Sequence, residues 1–389
     1  MTDRSFALYI HVPFCAQKCP YCDFNTYATP RAPEDEYIAA LQAELRSYSG
    51  DPRFAGRKVS SIFWGGGTPS LLSPSAIGKV HREVAALFGT EPSAEVTLEA
   101  NPSTPNRERY SGYRDAGVNR VSFGVQSFDP SRLSLLGRDH SVEDAQRAVS
   151  LCVESGITNV SVDIIFGVSG QTLPDLEHDL KTAAALPITH LSTYALTIEP
   201  GTPFFQRQER GLLRMPTDDL VAEMLGRIPE VLSGYGFSRY EISNYAREDK
   251  RSYHNEAYWI GKDYLGIGAG AHSYVARHED GRRVGGVRWS TLALPASYMK
   301  AAGTPQAISW REELSRESLL FEFFYLGLRR MEGVSLKEFE RLFTVSARSI
   351  YGAALEDLSS EGFVRQDGDQ VTLTQRGIAL ADSVYERFL

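Results

Sequence analysis

Three of the chain's four cysteines lie within one short segment, Tyr9-Ile-His-Val-Pro-Phe-Cys15-Ala-Gln-Lys-Cys19-Pro-Tyr-Cys22-Asp-Phe. Thiolates are soft ligands, suited to iron–sulfur clusters and to zinc. The C-x3-C-x2-C spacing lacks the fourth Cys or His that a closed tetrahedral zinc site requires, and no second paired knuckle follows it. Three ligands from one loop can instead hold three irons of a [4Fe–4S] cluster. The fourth iron is then left open to chelate the amino and carboxylate groups of S-adenosylmethionine. A zinc loop, or three incidental thiols, is the competing reading of the same spacing. The fourth cysteine, Cys152, stands alone in an apolar helical pattern and reads as a small buried hydrophobe.

These residues need a scaffold, and the first two-thirds of the chain supplies a regular one. β-Branched runs at 6–12, 59–64, 95–99, 120–126, 159–166 and 190–197 alternate with helical patterns such as 34–48, 75–88, 142–154 and 173–186. That alternation predicts a parallel sheet with helical crossovers. Six such units are too few for a closed eight-fold barrel and suit an open, partial TIM-like β/α barrel. In barrels of this type chemistry collects at the C-terminal strand ends. The cysteine loop follows the first strand and Gly65-Gly66-Gly67-Thr68 ends the second. Glu99, Gln126 and Asp163 fall within or near the ends of the next three.

After about residue 305 the texture changes. Helical patterns at 315–331, 336–343 and 346–361 precede two short β-rich pieces, 362–366 and 370–374, joined by a Gly-Asp turn, and then a last helix. This order predicts a small winged-helix-like module over 306–389, set against a larger domain over 1–305. No repeat or low-complexity segment interrupts the chain.

The cysteine loop after a strand, followed by Trp64-Gly-Gly-Gly-Thr-Pro-Ser70, resembles the radical S-adenosylmethionine superfamily. Within it the chain resembles the branch that holds oxygen-independent coproporphyrinogen III oxidase and the HemW-type heme chaperones, over nearly its whole length. The resemblance implies a [4Fe–4S] cluster on Cys15, Cys19 and Cys22. It also implies S-adenosylmethionine contacts from Tyr9, Tyr21, Gly66, Gly67, Thr68, Glu99, Gln126, Arg138, Asp163 and Ala195. The chemistry is sensible. Arg138 can pair a methionine carboxylate as a planar fork, and acidic and amide side chains can bond ribose hydroxyls.

Two departures separate oxidase from chaperone. The oxidases of the branch resemble C-x3-C-x2-C-x-C, and the last of those positions is Phe24 here. Only eight residues precede Tyr9, an expectation against the oxidase's longer N-terminal extension. The segment His254-Asn-Glu-Ala-Tyr258-Trp259 is similar to a heme-chaperone signature. Imidazole is a common axial ligand of heme iron, and Tyr258 and Trp259 offer apolar faces to a porphyrin. His11, His272 and His278 are alternative ligands. The competing reading makes His254 a turn cap and its aromatic neighbours barrel filling. The resemblance thus implies a heme chaperone that delivers heme to an acceptor protein without coproporphyrinogen oxidase activity. Radical oxidative decarboxylation of coproporphyrinogen III to protoporphyrinogen IX is the alternative.

Composition bounds the rest. The 389 residues are 42% hydrophobic and 23% charged, as in ordinary globular proteins, and the net charge of −8 argues against a broad phosphate-binding surface and so against nucleic acid. No apolar run approaches the ~18 residues that span a bilayer, and the polar start, Met1 to Phe6, is unlike a secretory leader. A cytoplasmic protein is expected. A membrane-associated heme acceptor is compatible with it.

Overall fold

In the computed structural model, which describes residues 5–389, the alternation becomes one twelve-stranded sheet. Residues 1–4 of the expected polar start lie outside the described residues. The six foreseen strands are β1 (Ser5–Val12), β2 (Lys58–Gly66), β3 (Thr90–Ala100), β4 (Arg120–Gln126), β5 (Asn159–Phe166) and β6 (His190–Ala195). They pair in sequence order, each parallel to the next. Parallel neighbours need a crossover, and the crossover helices include Glu34–Tyr48, Pro74–Leu87, Val142–Glu154 and Leu173–Ala185. Their starts are legible in the sequence. Ser73 caps the second, and Ser141 with Asp144 and Thr172 with Asp175 form capping boxes on the third and fourth. Each such cap stabilises its helix by about 1 kcal/mol.

Alternation along the strands divides the two faces. In β1, Phe6, Leu8, Ile10 and Val12 are buried in the main core, and the intervening Tyr9 and His11 point to the other side. In β2, Ile62 and Trp64 join the same core. The site is therefore built from the residues that the helices do not cover.

The sheet does not close. Beyond β1 it continues through a four-stranded extension: Tyr264–Ile267, parallel to β1, then His272–Glu279, Arg282–Thr291 and Ile308–Leu314, all antiparallel. Beyond β6 lie the short antiparallel strands Asn244–Ala246 and Ser238–Arg239. The strand Ile308–Leu314 belongs to this sheet, hydrogen-bonded to Arg282–Thr291.

The C-terminal part follows the expected order. Helices Arg316–Gly327, Leu336–Phe343 and Ala347–Ser360 accompany a three-stranded antiparallel sheet of Val334–Ser335, Gln370–Leu373 and Val364–Asp367. The last helix is two short ones, Gln375–Ala379 and Ala381–Glu386. Its core, around Phe324, Phe339 and Phe388, is continuous with Tyr274, Ala276 and Leu314 of the outer strands. Among the described residues no helix is long and apolar enough to cross a membrane.

Candidate cluster and nucleotide cleft

A cleft of about 520 Å³ opens at the C-terminal ends of β2–β6, and Cys15, Cys19 and Cys22 all line it. The cysteine loop is fixed by contacts that do not depend on sulfur. Asn25 Nδ2 donates to Ala269 O (2.9 Å) and Ala293 O (3.0 Å), His11 Nε2 lies 3.0 Å from Asn25 O, and Lys18 Nζ donates to Phe24 O and Thr26 O. The end of β2 is stitched to it by Gly67 N to Val12 O and Thr68 N to Phe14 O, both 2.8 Å. Burial pushes the Cys15 and Cys22 thiols up, opposed at Cys15 by a hydrogen bond from Thr68. Arg138 Nη1 donates to Cys19 Sγ at 3.2 Å, a cation placed directly on that sulfur.

Of the positions expected to contact S-adenosylmethionine, Tyr21, Gly66, Gly67, Thr68, Glu99, Gln126, Arg138, Asp163 and Ala195 line this same cleft. Tyr9 does not. It stands lower on β1, hydrogen-bonded to His11 Nδ1 at 3.0 Å and stacked on Phe63. Gln126 has φ +73, in the left-handed region, at a bulge where pairing with β5 shifts register. Strain of order 1–3 kcal/mol at a non-glycine residue is the kind of feature that collects at binding sites. Sequence reasoning passed over Asn101, Ser122 and Tyr194, which also line the cleft. Period-two spacing could have found Ser122, four residues before Gln126 on the same strand, and Asn101 closes the Glu99-Ala-Asn run.

Two carboxyls share the floor. Gly66 N donates to Glu99 Oε2 (3.1 Å), and Ser122 Oγ donates to Asp163 Oδ1 (3.1 Å). Burial, and then the neighbouring Asp163, push the Glu99 carboxyl up to about 8; burial raises Asp163 as well. Glu99 therefore holds its proton near neutral pH in the folded chain and loses it in the unfolded one. The folded state binds more protons, so stability falls as pH rises from about 4.5 to about 8. Urea unfolding across that window should show the slope in the parent protein and a flatter profile in Glu99→Gln. Equal slopes would remove the protonated Glu99.

The cleft fits the group its sequence implies. At Gly67 an added Cβ would lie 3.0 Å from Cys15 Sγ and 2.6 Å from Phe14 O, so the backbone needs the missing side chain beside the sulfur. The guanidinium of Arg138 is buried with Nη2 on Asn101 Oδ1 and Gly124 O, and its Nε has no partner.

The expected heme residues are placed differently. His254, on the helix Tyr253–Trp259, is 1% exposed. Its Nδ1 lies 2.8 Å from Ser61 Oγ and its Nε2 2.9 Å from Tyr258 Oη, so both ring nitrogens are occupied. Burial, and then the Arg120 charge, hold the imidazole neutral, down to about 3. Glu95 accepts the Tyr253 and His254 N–H groups and so fixes the helix start. Trp259 faces the Arg329 guanidinium at 4.4 Å. In this geometry His254 has no nitrogen open to iron, because Ser61 on β2 and Tyr258 on its own helix take both. Substitution by alanine should orphan two buried hydroxyls and cost at least ~2 kcal/mol. A thermal midpoint equal to the parent's would contradict that.

Comparison with known proteins bears on the whole chain. The radical SAM superfamily matches residues 9–183, and the HemN C-terminal domain matches residues 314–380. The "Heme chaperone HemW" of Lactococcus lactis is 34% identical, covering 100% of this chain and 98% of that protein. The "Heme chaperone HemW" of Escherichia coli is 36% identical, covering 98% of each. Among solved structures, the coproporphyrinogen III oxidase HemN of E. coli superposes with a TM-score of 0.83 at 23% identity, over 99% of this chain and 90% of that one, a likeness of fold.

Proposed function

The chain belongs to the HemW heme chaperones of the radical SAM superfamily, and from that premise we propose that it carries heme and transfers it to an acceptor protein in the cytoplasm. A [4Fe–4S] cluster on Cys15, Cys19 and Cys22 and S-adenosylmethionine in the adjoining cleft support the transfer. The observation that carries the cofactor part is the convergence of the three cysteines with Gly66, Gly67, Thr68, Glu99, Gln126, Arg138 and Asp163 on one cleft.

Bound together, cluster and S-adenosylmethionine supply one-electron chemistry. The residues around them orient and insulate. Arg138 neutralises the Cys19 sulfur and keeps a buried Nε for a carboxylate. Protonated Glu99 and the raised carboxyl of Asp163 offer hydrogen bonds to hydroxyls without placing two full charges side by side. Tyr21, packed against Phe204, forms one wall.

Phe24, in place of the oxidase's extra cysteine, favours carriage over decarboxylation. The test is anaerobic. Cluster-loaded protein should bind hemin and pass it to an apo-hemoprotein such as apomyoglobin. With S-adenosylmethionine and dithionite it should leave coproporphyrinogen III unchanged. Multiple-turnover formation of protoporphyrinogen would overturn the chaperone reading.

A further inference from the structure

Heme iron held by a histidine needs an imidazole nitrogen with a free lone pair and an open approach for a flat macrocycle about as wide as the ring pair beside it. All eight histidines are described, so each can be judged. Five are closed. His11, His81, His190 and His254 have both ring nitrogens hydrogen-bonded, and His140 is buried with Nε2 on Val125 O. Three are exposed: His178, His272 and His278. His178 sits on the helix Leu173–Ala185, and His278 lies six residues along its strand from His272, roughly 20 Å away. Among the described residues neither makes a ring contact, whereas His272 does.

His272 is different. Strand register sets it in one cross-strand row with Ser290 and Trp310, all on one face. Small Ser290 lets the outer two lean together, with ring centroids 6.3 Å apart at an interplanar angle of 56°. Trp310 is 43% exposed. An axial imidazole stands across a porphyrin plane while a stacking indole lies along it, so a pair serving both roles must be steeply inclined. This pair is. The Asn25 amide ties the cysteine loop to Ala269 and Ala293, and the residues adjoining those ties include Phe24, 63% exposed, and Leu294, 58% exposed.

We propose that His272 is the axial heme ligand of this protein and that Trp310 is the face on which the porphyrin lies, at the outer strands next to the cysteine loop. The proposal rests on the heme-carrying reading above and names its site. With one imidazole and one indole in an open position, the other side of the iron faces outward, where an acceptor's own ligand can reach it.

Hemin titration of the anaerobically purified, cluster-loaded full chain provides the test, read by the Soret band and by ferric electron paramagnetic resonance. His272→Ala should weaken hemin binding at least tenfold and remove the imidazole-ligated signal, and added free imidazole should restore that signal. Trp310→Ala should weaken binding and keep the ligation signal. Circular dichroism matching the parent's is expected for both, since the exposed His272 ring makes no hydrogen bond among the described residues. Parent-like spectrum and affinity in His272→Ala would overturn the assignment, as would weakened binding that imidazole fails to rescue. If the unsubstituted protein binds no hemin, the heme-carrying reading itself fails.

Discussion

Serine at Cys15, Cys19 and Cys22 together should leave the chain folded while iron falls from about four atoms per chain to background. The fold survives because the loop is held by main-chain and amide contacts: Tyr27 N to Pro13 O, Thr29 N to Cys15 O, and the Asn25 side chain on Ala269 and Ala293. Serine can keep the small volume of each position but cannot supply a soft thiolate. Iron, visible absorption and S-adenosylmethionine binding should disappear together, because the nucleotide's amino and carboxylate groups would lose their metal anchor. Circular dichroism should match that of the parent. Retention of iron in the triple variant would end the cluster reading, and so would parent protein that holds only zinc after anaerobic iron loading.

The site was legible because its residues obey local rules. A strand rises, a helix crosses back, and the chemistry lies where each parallel strand ends, so motif position alone sorted Glu99, Gln126 and Asp163 to one rim. β4, β5 and the helices Glu34–Tyr48 and Val142–Glu154 begin and end at the residues their patterns indicated. The outer sheet was not legible. At Gly266 an added Cβ would lie within the space of His272 O, so the tight pairing there demands a glycine where strand propensity argues against one.

His254 failed as an open ligand for a related reason. Sequence places it beside Tyr258 and Trp259 but does not show that Ser61, on a distant strand, and Tyr258 take its two nitrogens. Which histidine is closed and which is open is a tertiary fact. His272 carried no stronger motif than His254, yet the cross-strand row with Trp310 gives it the exposed ring.

Gly67→Ala should uncouple the cofactor cleft from the rest of the protein with a single methyl group. The added carbon would stand 2.6 Å from Phe14 O, 2.8 Å from Val12 O and 3.0 Å from Cys15 Sγ. The first two are backbone atoms on the cysteine-loop side, and Gly67 N and Thr68 N already bond that same backbone at 2.8 Å. Neither partner can yield without moving the other, so relief must come by displacing the loop that carries the first ligand. Overpacking of this kind costs about 1–3 kcal/mol. Cluster content should drop by half or more, and S-adenosylmethionine affinity should fall at least tenfold, equivalent to about 1.4 kcal/mol. Gly50→Ala supplies the control, since an added carbon there meets nothing within 4 Å. It should leave iron, affinity and thermal midpoint at parent values. Equal iron and equal affinity in Gly67→Ala would mean that the glycine run is only a turn and that the loop beside it is free to shift.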